Sequence, residues 1–350
     1  MGFFAQYGSW AFCPQLGMIP MPRPILLFTG PWADLSLESL ASKASDWGYQ
    51  GLELCCWGNH LEVQRGLSEE NYGTSRLDLL ARHDLQVPVI ANHKVGQAIS
   101  DIIDSRHQAL VPDYVWGDGN PVGVQQRAAE ELMATFRFAE KVGTSVVSGF
   151  TGSPVWSYVC GYPAPKPGLI AEALKKFAAQ WNPILDVARE CGVRFACEVH
   201  PGQMAFDLFS TEVVIDALNA REEFGILFDP SHLHWQGIDP IAFLRRFADR
   251  IYHVHIKDAV LSLDGRSGLL AGYWPSGDNR RGWQFRSPGR GGMDWEAIIR
   301  TLNEIGYDGP LSIDWHDPGM DREYGAAEAC RFVKQLDFDP PTQGPRAFRG

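Results

Sequence analysis

Short apolar runs alternate with longer amphipathic stretches along almost the whole chain. The runs at 25–28, 51–55, 87–91, 145–150, 193–199, 224–228, 251–256 and 310–315 are rich in Val, Ile, Leu and Phe and predict strands. Between them, the 3.6-residue periodicity at 37–47, 76–83, 124–142, 170–190, 212–220, 240–247 and 295–304 predicts helices, and a last helix near 323–333 closes the series. Several joints read helix, glycine, strand, as in Trp47-Gly48-Tyr49, Val142-Gly143-Thr144, Cys191-Gly192-Val193 and Ile305-Gly306-Tyr307. A glycine there supplies the left-handed conformation that ends a helix before the chain turns into the next strand.

Eight strand–helix units in succession predict a closed (β/α)8 TIM barrel in the α/β class, as one domain over 25–338. An open doubly wound sheet fits less well, because no Gly-x-Gly-x-x-Gly fingerprint follows the first strand. Residues 1–24, with Pro14, Pro20, Pro22 and Pro24, read as an irregular extension, and 339–350 as a tail. The Gly- and Arg-rich connection 259–292 after the seventh strand is long for a structureless loop, and its place on the strand-end face favours a functional role.

Composition narrows the partners. The chain has 350 residues, 45% of them hydrophobic, and a formal charge of −11. That average field repels nucleic acid and anionic membranes. The seven cysteines form no C-x-x-C pair, and scattered thiols read as reduced residues of a cytoplasmic protein. The first residues lack the pattern of a secretory signal, and no stretch has the length and apolarity of a membrane span.

The chemistry concentrates at the ends of the last four strands. The fifth ends with Glu198 and His200 on one face, and the sixth runs into Asp229-Pro230-Ser231-His232. His253, His255 and Lys257 share a face of the seventh, and Asp314 and His316 share one of the eighth. An ionisable group on a buried strand is costly unless it is paired or bound to a metal. Four successive strand ends bearing carboxylate or imidazole predict one shared divalent cation, held by Glu198, Asp229, His255 and either Asp314 or His316. Mixed oxygen and nitrogen donors without thiolate suit Mn²⁺, Mg²⁺, Co²⁺ or Zn²⁺. Plainer roles compete: Asp229 as a helix cap, Glu53 and Asn92 as bonds between neighbouring strands, and His232, His234 and His253 as structural histidines.

The segments Gly51-Leu52-Glu53-Leu54, Glu198-Val199-His200-Pro201-Gly202, Phe228-Asp229-Pro230-Ser231-His232-Leu233, His253-Val254-His255-Ile256-Lys257-Asp258 and Leu311-Ser312-Ile313-Asp314 resemble the sugar phosphate isomerase/epimerase family, the xylose-isomerase-like barrels, from Leu26 to Phe338. The resemblance implies metal positions at Glu198, Asp229, His255 and Asp314. The family commonly carries Glu at both inward positions of the eighth strand, where this chain has Asp314 and His316.

Within the family, the chain is most similar to the metal-bearing large subunit of bacterial C-glycoside deglycosidases. That similarity implies Mn²⁺ as the most fitting cofactor, a small β-rich partner subunit in a higher oligomer, and a 3-oxo sugar substrate. The shared step is removal of a proton α to a sugar carbonyl, followed by β-elimination in a deglycosidase or by proton return in a keto-sugar isomerase or epimerase. His200 is the leading candidate base, one strand repeat beyond Glu198, with His93 second. Lys257 or His316 is placed to polarise the carbonyl. Trp57 and Arg286 are candidate substrate contacts in strand-end loops. A non-catalytic sugar-binding barrel is the alternative of another class. A metal-dependent endonuclease is disfavoured by the charge of −11.

Overall fold

The computed structural model describes residues 23–270 and 273–339. The expected extension and tail therefore lie almost wholly outside the described residues. Strands β1 (Ile25–Phe28), β2 (Gly51–Cys55), β3 (Gln86–Ala91), β4 (Val146–Gly149), β5 (Arg194–Glu198), β6 (Phe224–Phe228) and β7 (Ile251–Ile256) pair in parallel, and β10 (Leu311–Ile313) closes the barrel between β7 and β1. The expected (β/α)8 barrel is the observed one.

Local chemistry explains the helices between the strands. Helix Leu37–Trp47 begins where the Ser36 side chain accepts from the Ser39 backbone N–H, and ends at Gly48 with φ +91°. Asn120 caps Pro121–Val142 through Gly123 N–H. Helix Leu169–Glu190 buries Trp181 against Phe195 of β5 and Phe224 of β6, with Phe177 stacked on Trp181. Among the described residues, no helix is long and apolar enough to cross a membrane.

Short helices Val63–Ser68, Asp113–Trp116 and Pro230–His234 add to the expected ones, and two further departures bear on the site. The connection 259–292 is not structureless, because β8 (Asp258–Leu261) and β9 (Trp283–Arg286) pair antiparallel within it. Asp258 anchors its return, accepting from the backbone N–H groups of Gly289, Gly291 and Met293 and from Trp295 Nε1. Four-residue strands separated by a long Gly- and Arg-rich arm leave too little alternation to read. The second departure is helix His93–Ser100 directly after β3, where Gly96 in mid-segment argues against a helix.

Packing explains that glycine. A Cβ on Gly96 would stand 2.2 Å from the Phe150 carbonyl oxygen, just beyond β4. Gly→Ala in a helix ordinarily stabilises by up to ~1 kcal/mol. Here backbone meets backbone, so Gly96→Ala should instead destabilise by about 1–3 kcal/mol in urea unfolding. A variant more stable than the parent would contradict this packing.

Candidate active site at the strand ends

Glu53 of β2 is fully buried inside the barrel. Its Oε1 accepts from Ser148 Oγ of β4 at 2.5 Å. Its Oε2 accepts from Ser312 Oγ of β10 at 2.6 Å, His255 Nε2 at 2.8 Å and His253 Nε2 at 2.9 Å. None of these strands neighbours β2, so Glu53 reaches across the barrel rather than to the strand beside it. Burial opposes its charge, but His255 and His253 outweigh that and hold its carboxyl well below the usual range. Burial lowers the His253 pKa, whereas Glu53 overcomes burial at His255 and lifts it to about 9. With both Nε2 atoms committed, each ring keeps a buried Nδ1 that has no hydrogen-bond partner.

Above this hub lie two overlapping donor groups. Glu198, Asp229 and His232 form one, Asp229, His255 and Asp314 the other, and within each group the donor atoms lie within 4.8 Å of one another. Asp229 is shared and serves two purposes. Its Oδ1 accepts from Ser231 N–H and Oγ at the start of helix Pro230–His234, while Oδ2 is buried without a hydrogen bond. The cap reading and the ligand reading thus use different oxygens of one carboxylate.

His232 is more central than its sequence suggests. Its Nε2 lies 3.1 Å from Glu198 Oε1 and 3.3 Å from Asp229 Oδ2. Burial disfavours its charge, but Asp229 and Glu198 raise its pKa overall. Lys257 Nζ donates to Asp314 Oδ2 at 2.5 Å and lies 3.9 Å from Asp229 Oδ2. There too burial acts against the charge, and Asp314, Asp229 and Glu198 prevail, raising the lysine pKa.

The other expected residues gather around this centre at different depths. His316 places Nε2 3.1 Å from Asp314 Oδ1, but it is 43% exposed and belongs to neither donor group. Of the two candidates for the fourth donor, Asp314 is therefore the one inside the cluster. His93 opens helix His93–Ser100, with Nε2 3.0 Å from Glu198 Oε2 but outside hydrogen-bond alignment. Its ring packs against Phe28, Trp57 and Phe150.

His200 lies just past the end of β5, its ring on that of His232 with centroids 4.0 Å apart. Its Nδ1 donates to the Pro201 carbonyl. Burial, then the neighbouring His232, pushes its pKa down to about 3, so the ring is uncharged at neutral pH. Trp57 donates Nε1 to the Gly30 carbonyl. Arg286 sits on the β9 hairpin, 3.6 Å from Asp317 Oδ1 and outside both donor groups.

Phe285 is a site residue that the sequence reading missed. It lies beneath the Lys257 ammonium at 4.4 Å and packs against His232 and His316. Its only sequence signal is an aromatic residue beside Trp283 and Arg286 in the long arm.

The donor set fits a divalent cation. Asp229 Oδ2, Asp314 Oδ1 and His255 Nδ1 are buried and lack hydrogen bonds, beside the carboxylate of Glu198. Three carboxylates and one imidazole match the preference of Mn²⁺, Zn²⁺ and related ions for mixed oxygen and nitrogen ligands. The family model of xylose isomerase-like TIM barrels matches residues 41–336. The chain belongs to this family.

Curated relatives include the uncharacterised protein YfiH of Bacillus subtilis, 30% identical over 162 residues, 44% of this chain and 50% of YfiH. The inosose dehydratase of Lacticaseibacillus casei is 29% identical over 157 residues, 43% of this chain and 49% of the relative. The chain thus spans about half the length of the curated relatives it matches. Solved structures share the fold. The 3-keto-D-glucoside 4-epimerase YcjR of E. coli superposes with a TM-score of 0.62 at 14% identity, covering 89% of this chain and 99% of YcjR. The IOLI protein with a bound zinc atom superposes with a TM-score of 0.59 at 16% identity, covering 89% and 96%.

Because Glu53 orients His255 from behind, Glu53→Gln should weaken Zn²⁺ binding by about 10–100-fold in calorimetry while one site per chain remains. Circular dichroism reports whether the barrel is retained. Unchanged affinity in a folded Glu53→Gln variant would show that the hub does not support the donor set.

Proposed function

We propose that this chain is a divalent-metal-dependent enzyme that moves the proton α to the carbonyl of a keto-sugar, acting as an isomerase or epimerase. One observation carries the reading: an anionic donor cluster at the strand ends adjoins the buried His200 ring, which packs on His232 and is oriented through Nδ1 by the Pro201 carbonyl. The relatives add support, one named for inosose and another for a 3-keto-D-glucoside.

Glu198, Asp229, His255 and Asp314 would hold the cation, with Mn²⁺ the ion we favour. A divalent cation bound there supplies Lewis acidity to a sugar carbonyl and its neighbouring hydroxyl. The remaining work falls to the chain. With Nδ1 tied to the Pro201 carbonyl, His200 keeps its lone pair on Nε2 and accepts the α-proton. Lys257 remains charged and donates toward the oxygen on which negative charge develops. His93, against Glu198, is our candidate for returning a proton. Trp57 and Arg286 border the substrate. Phe285, from the β9 hairpin, packs its ring against the Lys257 ammonium and limits the approach of water from that side.

The narrower reading, a C-glycoside deglycosidase subunit with a small β-rich partner, uses the same proton removal and then expels an aglycone by β-elimination. The relative named for epimerisation supports the isomerase or epimerase reading, while the one named for dehydration supports the proton removal that both readings share.

Solvent-deuterium incorporation next to the carbonyl of 3-keto-glucose tests the proposal. Chelation should abolish exchange and Mn²⁺ should restore it, and His200→Asn should lower it about 10²–10⁴-fold with metal still bound. Exchange that survives complete metal removal would contradict the proposal. Release of aglycone from a 3-oxo-C-glycoside without exchange into free keto-sugars would favour the deglycosidase.

A further inference from the structure

The segment Asn92-His93-Lys94 borders two environments. The His93 ring turns toward Glu198, while the residues on either side of it line a cavity of about 390 Å³. That volume falls in the ~300–1,000 Å³ range of small-molecule sites. Trp57 belongs to both environments, its ring edge-on to that of His93 with centroids 6.4 Å apart, and it also lines the cavity. The opposite wall includes Tyr114, exposed at its ring, and Glu131 of helix Pro121–Val142.

Two polar groups lining the cavity lack a hydrogen-bond partner among the described residues, and a third, Glu131, is a buried carboxyl held by its neighbours. Asn92 is 1% exposed, and while its Nδ2 donates to Thr135 Oγ1, its Oδ1 is buried without a hydrogen bond. The Lys94 ammonium rests over the Trp57 ring at 5.0 Å and has no acceptor among the described residues. Glu131 is 3% exposed and accepts from Gln64 Nε2 at 2.5 Å and Tyr114 Oη at 2.7 Å, and its burial raises its pKa. Aromatic rings bordering a carboxyl, an amide and an ammonium make a surface for a ring whose faces are apolar and whose rim bears hydroxyls. A phosphate fits worse, because Glu62 and Glu131 line the same space and the Arg65 guanidinium there is already taken by Glu62 and Glu69.

We propose that this cavity is a second carbohydrate subsite, taking an uncharged hydroxyl-bearing ring joined to the keto-sugar that reacts at the donor cluster. The inference rests on the keto-sugar reading above, and it makes the substrate a keto-glycoside rather than a free ketohexose. Lys94 donates to ring hydroxyls from the Trp57 side, and Glu131 and Asn92 meet those on the other.

The test compares deuterium exchange into 3-keto-glucose and into 3-keto-cellobiose with the ketone on its non-reducing ring, using the full chain loaded with Mn²⁺. The KM of the parent protein should be at least about tenfold lower for the disaccharide. Lys94→Met and Glu131→Gln should each cut that ratio to about threefold or less. Equal KM values in the parent, or a ratio undiminished in both variants, would overturn the subsite. Lys94 is only half-buried, so its variant serves if Glu131→Gln does not fold. If neither sugar exchanges, the keto-sugar reading fails separately, and calorimetric titration with cellobiose decides the subsite. Saturable heat weakened about tenfold by Lys94→Met supports it, and absence of heat refutes it.

Discussion

The site depends on a carboxylate that cannot reach water. Glu53 stands inside the barrel with no exposed surface, and two imidazoles and two serine hydroxyls satisfy it from β4, β7 and β10. Removing one partner of a buried charge pair typically costs about 3–5 kcal/mol, because the other charge is left without compensation. That cost locks the ring of His255. Its Nε2 must donate inward, so Nδ1 faces the carboxylates at the strand ends. A residue outside both donor groups at the strand ends thereby fixes which nitrogen is open to them.

The electrostatics of the cluster follow from that arrangement. Glu198, Asp229 and Asp314 are held as carboxylates against burial by His232, His93 and Lys257 around them. A divalent cation held there would take over much of that compensation and would compete with Lys257 for Asp314. Next to so much charge, His200 is driven to the neutral form by its own burial and by His232. The two neighbouring imidazoles are thus shifted in opposite directions, His232 up by Asp229 and Glu198 and His200 down by burial.

Much of this was legible in the sequence because parallel strands announce themselves as apolar runs, and a polar residue ending such a run stands out. Glu198, Asp229, His255 and Asp314 were found that way, and the structure brings all four into the two overlapping donor groups. His232 was set aside as structural because Asp-Pro-Ser-His also reads as a helix cap, and a one-dimensional pattern cannot show that one oxygen caps while the other is free. Glu53 was taken for a bond to a neighbouring strand, since sequence gives the face of a strand but not how far across a barrel a side chain reaches. Helix His93–Ser100 was hidden by Gly96, whose reason is a carbonyl from another element. Phe285 was hidden by an arm whose short strands leave no period to detect.

Membership of the xylose isomerase-like barrels agrees with a site at the carboxyl ends of the strands, where such barrels gather side chains from several loops. At the end of the eighth barrel strand, Asp314 pairs with both Lys257 and His316. Anomalous diffraction at the manganese edge, from crystals of the full chain soaked in Mn²⁺, addresses the central claim most directly. The account predicts a single peak within bonding distance of Glu198, Asp229, His255 Nδ1 and Asp314, with Lys257 moved off Asp314. Lys257 still bridged to Asp314 with no peak among those four side chains would contradict it.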